Sequence, residues 1–344
     1  MAARVMAALS GGVDSAVTAA LLQKEGYTVD GATMLLHENA EQEIEDARRS
    51  AGRLGIPFHV FDFREEFRRL VTEPFIETYR SGATPNPCVL CNRTVKFGLF
   101  LARAQALGCE LAATGHYARL ARDEKTGRYL VRTALDAAKD QTYMFCMLSQ
   151  EQLRHILLPM GEHTKQEARE LAEALGLAVA RKRDSQDICF IPDGDYPAYL
   201  TRNGVRPQLG RFVGPNGEDY GPHRGLEAYT LGQRRGLAVA AGSRIYVVGK
   251  RGCDVLLGPE SMLYSRRVSV RDLNYLPFDA PDGEFYAEAK LRYTPRTARC
   301  LVRPREGGAE LLFDEPQRAV TPGQTAVLYS GELLVGGGTI TGAE

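Results

Sequence analysis

Three short segments of this 344-residue chain combine residue types and spacings that can do chemistry. The first is Leu9-Ser10-Gly11-Gly12-Val13-Asp14-Ser15, lying between an apolar run and an amphipathic stretch. Adjacent glycines let the backbone take positive φ and come close to an anion, and a helix starting there aims free N–H groups at the same point. Ser10 and Ser15 add hydroxyl donors, and Asp14 suits Mg²⁺ bridging phosphate oxygens. No GxxxxGK[ST] follows, so a Walker loop is excluded. The second segment is Thr84-Pro85-Asn86-Pro87-Cys88-Val89-Leu90-Cys91-Asn92, whose two prolines predict a rigid, non-helical loop that presents a side chain to substrate. The third is Asp184-Ser185-Gln186-Asp187-Ile188-Cys189-Phe190-Ile191, which follows the basic run Arg181-Lys182-Arg183. Nearby cations favour thiolate, the reactive form of cysteine.

Three readings of these cysteines compete. Structural zinc wants four N or S ligands, and here one CxxC stands with a single distant partner. Buried filler accounts for Cys189 between apolar neighbours but poorly for a proline-braced CxxC. Thiol chemistry between Cys91 and Cys189, one carrying a persulfide and the other resolving it, accounts for both segments. Cys109, Cys146, Cys253 and Cys300 sit singly in apolar or strand-like contexts and read as filler.

The elements that must position these segments are legible. Arg4–Leu9, Thr28–Leu36, Pro57–Phe63 and Cys109–Thr114 read as strands. Helices are expected from Val13 to near Gly26, over Glu41–Leu54, over Arg64–Tyr79 with a break near Pro74, and over Thr94–Leu107. This alternation predicts a parallel sheet with helices on both faces. Tyr129–Arg132 reads as a hairpin arm decorating that sheet, and further helices are expected over Gln150–Ile156 and Lys165–Leu175. Beyond about Asn203, where twenty of the 35 glycines fall within residues 206–344, short alternating runs predict small β-barrels. The expected layout is an α/β catalytic domain over 1–203, a central β domain over 204–272 and a C-terminal β-barrel over 273–344.

Lys+Arg and Asp+Glu both total 43, which argues against a basic nucleic-acid coater, although a neutral chain can still gather cations on one face. The N-terminal stretch lacks a cleavage pattern, no run reaches the roughly 18 apolar residues of a membrane span, and seven cysteines do not make a secreted disulfide framework. A cytoplasmic protein is expected.

Ser10–Ser15 resembles the loop of the PP-loop ATP pyrophosphatase superfamily, whose α/β fold is of the adenine nucleotide alpha hydrolase type. Together with the two cysteine segments, Thr114-Gly115-His116-Tyr117, Lys139-Asp140-Gln141, Tyr229-Thr230-Leu231-Gly232-Gln233-Arg234-Arg235-Gly236 and Pro316–Gln324, it resembles the tRNA-specific 2-thiouridylases, the MnmA family, over nearly the whole chain. The resemblance implies ATP at Ala8–Ser15, Met34 and Gly115, with Cys91 as nucleophile and Cys189 as persulfide carrier. It implies adenylation of the uridine O2, sulfur delivery to C2, loss of AMP, and a Cys91–Cys189 disulfide reduced between turnovers. It places tRNA at Asn86, Pro87, Cys88, His116, Lys139, Asp140, Gln141, Arg292, Tyr293 and Gln324, with an extruded base. The implied substrates are the wobble uridines of tRNAs for Lys, Glu and Gln, and the implied sulfur source is a cysteine desulfurase or a carrier protein. Cys88 departs from the family, since many members carry Asp there. A thiol is a weaker base, so carboxylate assistance is in doubt, and Cys88, Cys91 and Cys189 offer an alternative, three thiolates for a [4Fe–4S] cluster. Two other readings remain: a PP-loop synthetase acting on a small molecule, and a non-catalytic RNA-binding or iron–sulfur protein.

Overall fold

The structure, a computed structural model, describes residues 2–38, 40–181 and 188–344. Residues 182–187, which include most of the basic run, and the side chains of 180 and 181 lie outside the described set. Strands β1 (Arg4–Ala8), β2 (Thr28–Leu35), β3 (Phe58–Asp62) and β4 (Leu111–Ala113) are joined, after a hairpin of β5 (Arg119–Arg122) and β6 (Tyr129–Arg132), by β7 (Ile156–Leu157). β1–β4 and β7 form one parallel sheet in the order β3-β2-β1-β4-β7.

β1 shows why the sheet is covered on both sides. Val5, Ala7 and Leu9 pack with Val29, Ala47 and Ala51 on one face, while Met6 and Ala8 pack with Phe61, Phe100 and Ala104 on the other. Helix α1 (Val13–Lys24) follows β1, and α2 (Glu41–Leu54) follows β2. The Val13, Val17 and Leu21 stripe of α1 faces Met160, Ala168 and Ala172, while Ala19 and Leu22 face the sheet, so the helix is buried on two sides. Strand order runs outward from β1 to β3, then jumps back to β4. The carboxyl ends of β1 and β4 therefore flank a topological switch point, where open α/β sheets bind ligands.

Three sequence expectations need correction here. Residues 64–80 are helical throughout; the π-helical stretch Arg68–Thr72 leads into Glu73 and Pro74, and this local widening accommodates the proline without a break. Ile156–Leu157 is a parallel edge strand, not the end of a helix. The β5–β6 hairpin does not decorate the parallel sheet. It joins the C-terminal sheet, with Leu333 opposite Arg132, because Val131 packs with Leu276, Val327, Tyr329 and Leu334.

The C-terminal half is all β, as its glycine-punctuated alternation predicts. A four-stranded sheet comprises Arg211–Val213, Asp219–Pro222, Tyr246–Arg251 and Asp254–Gly258. Six longer strands, from Tyr264–Tyr275 to Leu333–Ala343, close into a barrel because the first pairs with the last. No helix among the described residues is long and apolar enough to cross a membrane.

Candidate nucleotide and thiol site

The loop after β1 is built by its own hydroxyls. Ser15 Oγ accepts from the Ser10 amide (3.1 Å), lies 3.2 Å from Ser10 Oγ and donates to the Gly12 carbonyl (3.0 Å). Ser15 is buried and spends its hydroxyl inside the loop, whereas Ser10 is exposed. Only Gly11 has positive φ, +70°; Gly12 is extended, at φ −112° and ψ 167°. The expectation of two positive-φ glycines is thus corrected. A Cβ on Gly11 would also stand 2.6 Å from the Glu43 carbonyl oxygen. The first-turn N–H groups of α1 have no acceptor within their own helix, so they and the loop form an anion cradle.

Gly115, just past β4, seats this loop. A Cβ there would lie 2.8 Å from both the Asp14 carbonyl carbon and the Ser15 nitrogen, so only glycine admits the contact. Asp14 is already engaged. Lys165 Nζ donates to both its carboxylate oxygens at 2.8 Å, and the Tyr117 hydroxyl donates to Oδ1 at 2.8 Å. An ammonium and a cation compete for the same oxygens, so Asp14 in this arrangement does not fit a direct Mg²⁺ ligand. It anchors the loop to the helix Lys165–Ala174 instead.

The cysteine segment is not the non-helical loop its prolines suggest. Pro87–Cys91 is the first turn of a helix that runs on to residue 106, through a π-helical stretch, Asn92–Leu99. Asn86 Oδ1 caps it by accepting from the Val89 amide (3.4 Å), and Pro87 suits the first helical position. Cys88 and Cys91 therefore share one helical face. The rigidity expected of the preceding residues comes from elsewhere in the fold. Gln324 Nε2 donates to the Thr84 and Pro85 carbonyls (3.2 and 2.8 Å), Thr84 N to Pro322 O (2.9 Å) and Lys250 Nζ to Gly82 O (2.9 Å).

Cys91 packs in the same apolar cluster as Ala8, with Met34 and Phe190 against its edge. The nucleotide loop, the carboxyl end of β2 and the Cys189 segment thus meet around one core. Cys88 and Cys189 reach solvent, whereas Cys91 is buried. Burial pushes all three thiols up, Cys91 to about 12, and each pair is near enough for charge on one to disfavour charge on the other for Cys91–Cys189, Cys91–Cys88 and Cys189–Cys88. Lys96 opposes this at all three. The basic run expected to favour thiolate lies outside the described residues; among the described residues Lys96 is the cation that acts on the thiols, and desolvation outweighs it. Lys96 Nζ lies 3.4 Å from His116 Nε2, and His116 Nδ1 lies 2.8 Å from Thr114 Oγ1. Desolvation, helped by Lys96, holds His116 well below its usual range, so its ring is neutral and accepts from Lys96.

Alkylation of Cys91 in the free protein should therefore climb about tenfold per pH unit without levelling off below pH 11, whereas an unfolded peptide levels off above about 8.5. Because burial favours the neutral thiol, its contribution to stability is complete below the unfolded value and is lost as pH rises through about 12. Alkylation timed by mass spectrometry between pH 7 and 11 measures this; a plateau near pH 8.5 would contradict the burial.

Among the described residues, no three or more His, Cys, Asp or Glu side chains converge as a metal site. No such group includes Cys88, Cys91 and Cys189, so the structure lends no support to a [4Fe–4S] cluster on them.

The residues expected at RNA divide into two groups. Tyr293 is half-exposed; its hydroxyl donates to the Asp140 carbonyl (3.1 Å), its ring meets Tyr143 edge-on, and its phenol is raised by burial, then by Asp140 and Cys88. It thus stands beside the thiol site, as does Asn86, whose amide reaches the Tyr143 hydroxyl (3.4 Å). Arg292 is exposed and donates to the Arg318 carbonyl (3.0 Å). Cys88 is exposed, Pro87 is buried, His116 lies between Lys96 and Thr114, and the rest make contacts within the protein. Asp140 accepts from Ala134 N and Thr142 Oγ1 and lies 3.6 Å from Lys290, Gln141 Oε1 accepts from Tyr117 N, the Lys139 amide donates to Asp136, and Gln324 braces the cysteine loop. Sequence reading missed Lys96, Tyr117, Tyr143 and Lys165. Only Lys96 carried a signal, five residues past Cys91, where π-type i→i+5 bonding brings both toward one face.

A glycine-bearing anion loop at the switch point of a parallel sheet, followed by a β domain and a closed barrel, defines a nucleotide-binding HUP-type domain with β appendages. Family models agree: a tRNA methyl transferase HUP domain matches residues 3–193, a tRNA methyl transferase PRC-barrel domain residues 200–253, and an aminomethyltransferase beta-barrel domain residues 265–340. Similar curated proteins include the tRNA-specific 2-thiouridylase MnmA of Moorella thermoacetica, 46% identical over 97% of this chain and 98% of its own. Those of Carboxydothermus hydrogenoformans and Clostridioides difficile are 45% and 41% identical, each over 98% of this chain and over 97% and 98% of their own. The chain belongs to the MnmA family of tRNA-specific 2-thiouridylases.

Proposed function

We propose that this protein is a tRNA-uridine 2-sulfurtransferase, using ATP to activate the uridine O2 and cysteine-borne sulfur to replace it. The observation that carries this reading is the single core shared by Ala8 and Cys91, with Met34 and Phe190 of the Cys189 segment at its edge. An oxygen activated at the anion cradle and a sulfur carried on the thiols then act on one base. The matching models bear the words methyl transferase, while the relatives are named for thiolation. Paired thiols beside a nucleotide loop favour thiolation.

The cradle of Gly11, Gly12 and the α1 N-terminus would hold the pyrophosphate of ATP, with Ala8–Leu9 and Met34 toward the nucleoside. Adenylation exchanges a poor leaving group, the uracil oxygen, for AMP. Cys189, which is exposed, takes sulfur from a donor as a persulfide. The terminal sulfur attacks C2, Cys91 attacks the Cys189 sulfur, the S–S bond breaks and AMP departs, leaving 2-thiouridine and a Cys91–Cys189 disulfide. Neutral resting thiols protect the pair until an acceptor arrives, and Lys96 stabilises the anion that forms. Magnesium would arrive on the triphosphate, since Asp14 is held by Lys165. Tyr293 and Arg292 on the barrel offer stacking and phosphate contacts to an unpaired nucleotide. The tRNAs for Lys, Glu and Gln and a cysteine desulfurase or carrier as donor belong to the same proposal.

Incubation of purified protein with tRNA, ATP and a persulfide donor, followed by nucleoside mass spectrometry, tests it. ATP-dependent 2-thiouridine is expected; its absence with every tRNA, or its formation without ATP, would reject the reading.

A further inference from the structure

Cys88 has no task in the scheme above, yet it is exposed, lies on the same helical turn as Cys91 and interacts electrostatically with both other thiols. We propose that Cys88 is a third working thiol, which exchanges into the Cys91–Cys189 disulfide, moves it to Cys88–Cys91 and returns Cys189 as a free thiol. The inference rests on the disulfide intermediate of the proposed function.

The exchange balances without an added oxidant. Cys88 loses its proton and attacks Cys91 Sγ, the Cys91–Cys189 bond breaks, the Cys88–Cys91 bond forms, and Cys189 leaves as a thiolate that takes up a proton. A dithiol reductant then supplies two electrons and two protons to the new disulfide. Helical geometry permits the product. Residues three apart in an α-helix have Cα atoms about 5 Å apart, inside the roughly 4.4–6.8 Å that disulfides span. The direction follows from the surroundings. Cys91 is buried whereas Cys189 reaches solvent, so the sulfur whose departing charge water can stabilise is Cys189, and attack expels it. One benefit results: the sulfur carrier is free to reload while the oxidised pair waits for its reductant.

Full-length protein carrying a Cys189 persulfide is given tRNA and ATP without reductant, quenched with N-ethylmaleimide and mapped by non-reducing peptide mass spectrometry, with 2-thiouridine measured in the same sample. Wild type should show Cys88–Cys91 joined and Cys189 alkylated. Cys88→Ser and Cys88→Ala should both show Cys91–Cys189 joined, and their Cys189 should take up no fresh persulfide until a dithiol is added, whereas wild-type Cys189 should reload without one. Product formation in wild type with Cys91–Cys189 joined and Cys88 alkylated overturns the exchange and leaves the sulfurtransferase reading intact. Product without any disulfide, or no product, overturns both. Far-UV circular dichroism of the two variants verifies that the comparison is made on folded protein.

Discussion

Cys189→Ser is expected to abolish 2-thiouridine formation, a loss on the order of 10³-fold or more, while tRNA-stimulated pyrophosphate release from ATP continues. The two halves of the reaction are separable in the structure. The anion cradle is made of β1, Gly11–Ser15, α1 and Gly115, and none of its bonds involves Cys189. A serine hydroxyl cannot carry persulfide sulfur, so the activated uridine meets no sulfur nucleophile; water attacks it instead, AMP leaves and uridine is regenerated. Cys189 is exposed, and its replacement opens no core cavity, so the folded state should survive. A synthetase acting on a small molecule would keep its activity in this variant. Nucleoside mass spectrometry beside a pyrophosphate assay reads both outcomes; loss of both activities in a folded variant would mean that Cys189 belongs to the nucleotide site.

The second large effect is expected at Gly115. Gly115→Val places a Cβ 2.8 Å from two backbone atoms of Asp14 and Ser15, neither of which can yield without moving the loop. Overpacking of this kind costs about 1–3 kcal/mol, and here it falls on the nucleotide cradle, so KM for ATP should rise roughly 10- to 100-fold. Gly52→Ala is the control. Gly52 lies inside α2 with nothing within 4 Å of an added Cβ, so alanine there should stabilise the protein by about 0.5–1 kcal/mol with unchanged KM. ATP titration and thermal unfolding of both variants distinguish them. An unchanged KM in Gly115→Val would show that the contact does not shape the cradle.

How far these sites were legible depended on the range of the interaction. Strands β1–β4 and helices α1 and α2 were read to within a residue or two, because each rests on local periodicity and punctuation by Gly26 and Gly55. The SGGVDS loop was legible for the same reason. Its internal economy was not: Ser15 as a brace, Gly12 as extended backbone and Asp14 as a partner of Lys165 depend on atoms up to 151 positions away. The cysteine segment failed in an instructive way. Pro85 and Pro87 were read as excluding helix, yet proline at a helix's first position is favourable, and the stiffness assigned to the loop is supplied by Gln324 and Lys250 from other domains. The raised thiols were not legible, because desolvation outweighs Lys96 at Cys91 and Cys189 and depends on how the whole chain packs around them. The hairpin β5–β6 was recognised but given to the wrong sheet, since its partner strand lies two hundred residues on.

The claim on which the account turns is that one uridine is activated at the anion cradle and sulfurated by the neighbouring thiols. Substrate tRNA bearing ¹⁸O at uridine C2, turned over with ATP and a persulfide donor, addresses it directly, with mass spectrometry of the AMP released. The account predicts one ¹⁸O in AMP for each 2-thiouridine formed. Label appearing in water, with unlabelled AMP, would contradict it.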